Sequence, residues 1–268
     1  MTGWLGLPPL ASAHGAEIDS TMGIVHWLMF ALFIGWGAFF LFVLWRFRRS
    51  RNPVADYQGV KSHASTYLEI AVAVAEAVLL VGFSIPLWAK RVDKLPPESD
   101  ALVVHVTAEQ FAWNVHYPGP DGKFGRTDIT KIDVESNALG LDRSDADGKD
   151  DVTTINQLHL PVDKPVILKL RSKDVIHGFN LTEFRVKQDI IPGLTIPAWF
   201  EPNVTTEEMR RRTGNPTFQY EIACAQLCGL GHYRMRGFVT VHTQEEFQKW
   251  MDDEQARLEE QGEDSGWN

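Results

Sequence analysis

Both cysteines of the 268-residue chain lie in one short segment, CAQLCGLGHYRM, residues 224–235. Cys224 and Cys228 are four positions apart, and His232 and Met235 follow within seven positions of the second cysteine. Such a cluster can form a disulfide, bind zinc or bind copper. A thioether is a poor zinc ligand, whereas thiolates, an imidazole and a weakly bound methionine sulfur are ligands that copper selects. The segment therefore predicts a copper site, with a disulfide and a zinc site as the alternatives.

Two thiolates in one loop can each bridge two metal ions, which gives a compact dinuclear centre that shares one electron. Each metal ion then needs a terminal imidazole, so a second histidine must come from elsewhere in the chain. Four histidines after residue 100 are candidates: His105, His116, His159 and His177. His177, in SKDVIHGFN, is favoured because it follows a predicted strand and begins a turn that can approach the cysteine loop.

Two long apolar segments precede this part of the chain. Residues 22–45 contain 24 residues without a formal charge, and a second apolar run covers residues 67–91. A bilayer core of about 30 Å needs roughly 20 such residues in a helix. Four arginines in RFRRSR lie between the runs and mark the cytoplasmic side. We predict a transmembrane hairpin with both ends outside; a buried core helix is the alternative for either run alone.

Glu69 and Glu76 interrupt the second apolar run. They are seven residues apart, so both lie on the same face of a helix. A carboxyl group at membrane depth is costly and usually faces protein or water. We therefore predict that one face of the hairpin packs against a larger membrane partner, and we hypothesise that Glu76 faces it. For Glu69, a position at the membrane interface is the simpler alternative.

Local composition and hydrophobic patterning predict four regions. Residues 1–20 form an N-terminal extramembrane segment, 21–99 the hairpin and linker, 100–243 a β domain, and 244–268 a C-terminal amphipathic helix and tail. Short alternating runs separated by Pro, Gly and Asp favour an all-β sandwich or barrel. Within it, residues 121–151 are rich in Asp, Gly and Ser, which predicts a solvated loop. The triplet Ala11-Ser12-Ala13 resembles a signal cleavage site, with a simple tail outside the membrane as the alternative.

Composition excludes some functions. The formal net charge of −9 argues against a nucleic-acid-binding protein, which needs a basic surface. The acidity of the chain instead suits a basic protein partner. The sequence contains no C-x-x-C-H segment, so we expect no covalently attached haem in this chain.

The pattern C-x-[EQ]-x-C-x-x-x-H-x-x-M, with D-V-x-H upstream, is present as CAQLCGLGHYRM and DVIH. On these motifs the chain resembles subunit II of the haem–copper cytochrome c oxidases over residues 21–243. The resemblance implies a cupredoxin fold, a Greek-key barrel, for residues 100–243, and a dinuclear copper centre called CuA. It implies bridging thiolates from two cysteines and four terminal ligands, with one copper bound by His177 and Met235 and the other by His232 and the backbone carbonyl of Gln226.

The same resemblance implies a function and partners. The chain would be the electron-input subunit of a respiratory oxidase, taking electrons from cytochrome c and passing them to haem in subunit I, with subunit III as a further partner. It would lie in the bacterial plasma membrane among lipid, with its N-terminus and copper domain on the periplasmic side. The alternatives are a CuA subunit of a nitric oxide reductase and a non-catalytic copper-binding membrane protein.

Some positions depart from the family pattern. In AEQFAWNVHYP, Phe111 replaces the tryptophan that relatives place on the electron-accepting surface, so Phe111 and Trp113 are candidates for electron uptake, with core packing as the alternative. Glu69 matches a glutamate at the mouth of a proton path. Gln226 replaces a glutamate that also binds magnesium at the subunit boundary. An amide is a weaker ligand than a carboxylate, which argues against a magnesium site contributed by this chain.

Overall fold

The computed structural model describes residues 6–55, 57–59 and 62–265. The chain divides into two compact units. One contains Ala16–Asp93, and the other contains Pro8–Gly15 together with the chain from Lys94 onward. The first unit is the helical hairpin. The second is the β domain with its C-terminal helix, and it also includes the short segment that precedes the first helix.

The hairpin consists of long apolar helices. Helix α1 is Gly15–Arg46, and the returning arm is built from α2 (Ala64–Leu79), a π-helical turn (Leu80–Ser84) and α3 (Ile85–Val92). Both arms are long and apolar enough to cross a membrane, and their most apolar stretches are not buried within the chain. Two long apolar helices are therefore confirmed at the predicted positions, and α1 begins seven residues before the charge-free run.

Proline explains the π-helical turn in the second arm. Pro86 has no N–H group and cannot donate to the carbonyl one turn earlier, so the preceding turn widens and the Ile85 N–H donates to the Leu80 carbonyl. One turn before this widening, Glu76 is exposed on α2, as is Glu69. Neither carboxyl has a hydrogen bond or ion pair among the residues that the structure describes. The proposed contact of Glu76 with a partner stays a prediction.

The β domain contains ten strands in two five-stranded sheets. One sheet has the order β3-β2-β1-β5-β8 and the other β4-β10-β9-β6-β7. The parallel pairs β1–β5 and β4–β10 make both sheets mixed. The strands are β1 (Leu102–Glu109), β2 (Ala112–Tyr117), β3 (Val152–Ile155), β4 (Gln157–Pro161), β5 (Val166–Ser172), β6 (His177–Leu181), β7 (Val186–Ile190), β8 (Ile196–Phe200), β9 (Tyr220–Cys224) and β10 (Arg236–His242).

The two sheets pack face to face around one hydrophobic core. Alternate residues of β1 are buried, as expected for a strand with one face on a core. Across the interface, the ring of Trp113 on β2 meets Phe179 on β6 edge to face, with centroids 5.5 Å apart. The predicted all-β domain is confirmed as a two-sheet sandwich in which the chain passes repeatedly from one sheet to the other.

Two helices complete this unit, α4 (Thr206–Thr213) and α5 (Gln244–Ser265). The start of α5 is a capping box: the Thr243 N–H donates to Glu246 Oε2 at 3.0 Å, and the Glu246 N–H donates to Thr243 Oγ1 at 3.2 Å. Trp250 and Met251 pack against the sandwich core. The predicted C-terminal amphipathic helix is confirmed.

The segment Pro8–Ala13 is a structural part of the β unit. Ala11 and Ser12 are buried. The Ala11 N–H donates to the Glu183 carbonyl at 2.9 Å, and Ser12 Oγ donates to the Phe184 carbonyl at 2.7 Å. The small residues that resemble a signal cleavage site therefore have a packing role here, because both are buried and hydrogen-bonded to the β unit.

The prediction of a solvated loop over residues 121–151 is wrong in part. The stretch contains no long strand, but Asp142 and Asp151 are buried within it. The carboxylate of Asp151 accepts hydrogen bonds from the Gly119 and Gly125 N–H groups and lies 2.5 Å from His116 Nε2. The polar composition reflects this internal network as well as solvation, since a buried carboxylate requires several donors.

Candidate metal centre

Strand pairing brings two distant parts of the chain together at one end of the sandwich. Strand β6 pairs with β9, with Phe179 opposite Cys224, so His177 at the start of β6 lies beside the end of β9. The Ala225 N–H donates to the Gly178 carbonyl at 2.8 Å. Gly178 is required at this crossing, because a Cβ atom there would lie 2.9 Å from the backbone of residues 225 and 226.

Cys228 lies at the centre of a group of potential metal ligands. Its Sγ is 3.7 Å from Cys224 Sγ, 3.6 Å from His232 Nδ1 and 3.7 Å from Met235 Sδ. Cys224 Sγ is 3.9 Å from His177 Nδ1. A tetrahedral metal ion with bonds of about 2.3 Å holds its ligand atoms roughly 3.7 Å apart. We call these five side chains, with the Gln226 carbonyl, the donor cluster.

The sulfur separation distinguishes among the predicted chemistries. A disulfide requires an S–S distance of about 2.05 Å, and both cysteines are free. His177, Cys224 and Cys228 alone could hold a metal ion, since their ligand atoms lie within 4.8 Å of one another. The buried sulfur of Met235 extends the cluster with a ligand that suits copper better than zinc.

Burial affects the protonation of the cluster. Cys228 and Met235 are 3% and 2% exposed, and His177 is fully buried. Burial, with the neighbouring Cys224 thiol, raises the pKa of Cys228 to about 11. A metal ion binds the thiolate form, so its binding must release the thiol protons and becomes weaker as the pH falls.

Asp174 orients one of the imidazoles. Its Oδ1 lies 2.8 Å from His177 Nε2, so the other ring nitrogen, Nδ1, is the one that faces Cys224. Partial burial opposes ionisation of Asp174, but hydrogen bonds from His177 and from the Gln110 and Val175 N–H groups outweigh it and lower the pKa of this carboxyl. A carboxylate behind a ligand histidine fixes the tautomer and makes the free nitrogen a better ligand.

The backbone and the side chain of Gln226 make different contacts. Its carbonyl oxygen is 3.2 Å from Cys224 Sγ, which places it in the donor cluster. Its side-chain amide donates to Asp189 Oδ2 at 2.8 Å. The amide is therefore occupied by a carboxylate of strand β7.

The other candidate histidines lie in two separate structural groups. His116 is bound to Asp151, and His105 stacks on Phe124 with ring centroids 3.7 Å apart. His159 Nδ1 lies 2.9 Å from Nε2 of His242, a residue that sequence reasoning missed. His242 is the last residue of β10, which pairs with β4, the strand that contains His159. The alternating pattern of β10 predicts a strand there but not the contact between the two histidines.

Trp113 and Phe111 differ in exposure. Trp113 is fully buried, with its ring centroid 6.2 Å from that of His177, and its part in electron uptake stays a prediction. The competing expectation, core packing, describes Trp113. Phe111 is half-buried at the surface next to the cysteine loop.

Comparisons with known proteins agree on one family. Residues 102–241 match the family model described as cytochrome c oxidase subunit II, periplasmic domain. The alternative cytochrome c oxidase subunit 2 of Bradyrhizobium diazoefficiens is 33% identical over 249 residues, covering 92% of this chain and 83% of the relative. Cytochrome c oxidase subunit 2 of Cereibacter sphaeroides is 28% identical, covering 95% and 81% of the two chains.

Among solved structures, the chain is similar to the periplasmic domain of subunit II of cytochrome oxidase from Bradyrhizobium japonicum. The identity is 27%, the match covers 59% of this chain and 95% of that chain, and the TM-score is 0.40.

Proposed function

This chain belongs to the cytochrome c oxidase subunit II family, a subunit of a haem–copper oxidoreductase complex, and we propose that electrons enter that complex through it. The chain accepts them one at a time from cytochrome c on a dinuclear copper centre of the CuA type. It passes them to haem in the large subunit, where oxygen is reduced to water with proton pumping. The copper domain faces the periplasm of a bacterial plasma membrane.

One observation carries this proposal: Cys228 Sγ lies within 3.6–3.7 Å of a second thiol, an imidazole and a thioether. These separations match ligands that share metal ions, and the mixture of soft and borderline donors suits copper. We assign Cys224 and Cys228 as bridging ligands. His177 and Met235 complete one copper site, and His232 with the Gln226 carbonyl completes the other.

Copper supplies reversible one-electron exchange when bound, and the protein supplies a rigid environment for it. His177 is held from behind by Asp174, so its ring cannot rotate freely when the charge of the centre changes. Met235 and Cys228 are buried, which keeps water away from the sulfur ligands. Both features favour fast transfer, because few atoms have to move when an electron arrives.

The surface around the centre fits protein partners. Leu227, Leu230 and Tyr233 project from the cysteine loop with 83%, 96% and 85% of their surface exposed. Exposed apolar side chains grouped in one loop are typical of an interaction site. Phe111 lies against the same loop and remains our candidate for the point of electron uptake. The acidic balance of the chain suits a basic cytochrome c.

Two further assignments concern the membrane and the boundary with the large subunit. Glu69, near the cytoplasmic end of α2, is a candidate for the mouth of a proton path. The Gln226 amide is occupied by Asp189, which supports the expectation that this side chain does not bind magnesium. Oxidase subunit I, and subunit III with it, are the partners that family membership suggests.

Rapid mixing tests the proposed function. The intact complex containing wild-type chain is mixed with reduced cytochrome c, and oxidation of the cytochrome is followed on the millisecond timescale. We expect a fast one-electron phase that a complex with Cys224→Ser lacks. An unchanged fast phase in the variant would exclude the donor cluster as the electron acceptor. Identification of the co-purified large subunit separates an oxygen reductase from a nitric oxide reductase.

A further inference from the structure

The turn between β1 and β2 covers the cysteine loop. Gln110 and Phe111 form this turn, between Glu109 at the end of β1 and Ala112 at the start of β2. The Phe111 ring lies so close to the loop that a Cβ atom at Gly231 would be 2.4 Å from the ring. At Gly229, a Cβ atom would be 2.6 Å from the Gln110 side-chain nitrogen. Glycine at both loop positions is therefore what allows the turn to pack here.

Gln110 makes two hydrogen bonds that lead to different members of the donor cluster. Its side-chain Nε2 donates to the Cys228 carbonyl at 2.5 Å. Its backbone N–H donates to Asp174 Oδ2 at 2.7 Å, and the other oxygen of that carboxylate holds His177. One residue outside the cluster thus connects the backbone of a central cysteine with the carboxylate behind a histidine.

The middle of the cysteine loop has few other restraints. Residue 225 is fixed to β6, and a 3-10 turn, His232–Arg234, leads through Met235 into β10. Among the residues that the structure describes, none outside the loop except Gln110 donates a hydrogen bond to residues 227–231. Leu227, Gly229 and Leu230 in this part are exposed. Without the Gln110 amide, the carbonyl of Cys228 would depend on solvent for its hydrogen bond.

We propose that Gln110 is a positioning residue for the copper centre: its side-chain amide fixes the Cys228 backbone and so pre-forms the ligand loop before metal binds. This inference rests on the proposed function for the identity of the metal. It goes beyond it by assigning a role to a residue that touches no ligand atom. Pre-organisation of ligands lowers the entropy cost of binding and the rearrangement that accompanies electron transfer.

Gln110→Met tests the proposal, because methionine has a similar length but no N–H donor. We expect the amide hydrogens of residues 232, 234 and 235, which donate hydrogen bonds within the cysteine loop, to exchange about five- to tenfold faster in the metal-free full-length protein, the range for loss of one hydrogen bond. In the copper-loaded protein we expect release of copper to a chelator to accelerate by a similar factor and the copper hyperfine splitting to change. Gln110→Asn, whose amide is one methylene too short, should show the same changes.

Gln244 provides a matched control. Its Nε2 also donates to a backbone carbonyl at 2.5 Å, that of Val162, but this contact is not part of the cysteine loop. Gln244→Met should leave the exchange of residues 232, 234 and 235 and the copper spectrum unchanged. The proposal is overturned if the Gln110 variants exchange and release copper at the wild-type rate. Failure of the wild-type chain to bind two coppers would instead contradict the proposed function, and exchange in the metal-free protein would still decide the role of Gln110.

Discussion

Two groups of histidines in the β domain use their ring nitrogens differently. His177 has one nitrogen on the Asp174 carboxylate and directs the other at Cys224 Sγ, 3.9 Å away. His159 instead shares its Nδ1 with Nε2 of His242, and the indole of Trp250 lies parallel to its ring, 4.1 Å away. The first arrangement leaves an oriented nitrogen among sulfur atoms, whereas the second joins strands β4 and β10 through a nitrogen of each ring, with Trp250 of α5 stacked on His159. A ligand histidine is thus recognised by what its second nitrogen faces.

The substitution with the largest expected effect removes a sulfur atom from the donor cluster. Cys228→Ser removes the sulfur closest to three other ligand atoms, so we expect copper to fall from two ions per chain to at most one and oxidase turnover to fall at least about 100-fold. Metal analysis of the purified complex and oxygen consumption measure this. His242→Asn is the control, and a comparable copper loss in that variant would contradict the distinction between the two groups.

A structural histidine contact is expected to affect folding and not copper. Asp151→Ala removes a fully buried carboxylate and leaves His116 and two backbone N–H groups without their acceptor. Removing one partner of such a buried pair lowers the free energy of unfolding by about 3–5 kcal/mol. Denaturant unfolding of the detergent-solubilised chain should show this loss, while the folded fraction still binds two coppers. Asp121→Ala, at an exposed position of the same stretch, should cost less than about 1 kcal/mol.

The His159–His242 pair is expected to make the β domain sensitive to acid. Burial, and then the neighbouring His242, lowers the pKa of His159 to about 4, and burial also lowers the pKa of His242. The unfolded chain therefore binds more protons than the folded chain between about pH 6.5 and 4. Stability from these groups is complete above pH 6.5 and decreases as the pH falls through that range.

His159→Phe keeps an aromatic ring beneath Trp250 but cannot titrate. We expect the loss of unfolding free energy between pH 7.5 and 5 to shrink by up to about 2 kcal/mol relative to wild type, since one proton contributes about 1.4 kcal/mol per pH unit. Glu246 on α5 faces His242 and Tyr117 on β2 bonds to the backbone of His159, and both remain in the variant. An unchanged pH dependence would show that the pair does not titrate as described.

The smallest effect is expected for a substitution of the thioether ligand in the donor cluster. Met235 is a weak ligand compared with a thiolate, so Met235→Leu should retain two coppers and a folded domain while shifting the redox potential. Turnover should change by less than about tenfold. Potentiometric titration of the complex measures the shift. Loss of a copper ion in this variant would mean that the thioether holds the metal and does not merely tune it.

Local patterns in the sequence predict the helical hairpin and most of the donor cluster. The apolar runs and the arginine turn identify the hairpin, because membrane insertion depends on length and hydrophobicity. The cysteine loop identifies most of the donor cluster, since Cys224, Cys228, His232 and Met235 are close in sequence and share one loop. His177 lies 47 residues away from Cys224, and its place depends on the pairing of β6 with β9.

Long-range contacts are what the sequence leaves out. Asp151 lies in a stretch whose composition is typical of a solvated loop, yet it is buried against His116, 35 residues earlier. Ala11 and Ser12 look like a cleavage site in isolation, and only their contact with Phe184, 172 residues beyond Ser12, reveals a packing role. Gln110 lies 118 residues before Cys228, and only its contact with the Cys228 carbonyl indicates a role at the donor cluster. Each of these depends on tertiary packing that no local pattern contains.

We propose that the donor cluster holds two copper ions bridged by Cys224 and Cys228. Electron paramagnetic resonance of the full-length chain, purified in detergent and loaded with copper, distinguishes this dinuclear centre from a single copper ion. We expect a seven-line hyperfine pattern, from one unpaired electron shared equally by two copper nuclei, together with two coppers per chain. A four-line pattern with a single copper per chain would contradict it.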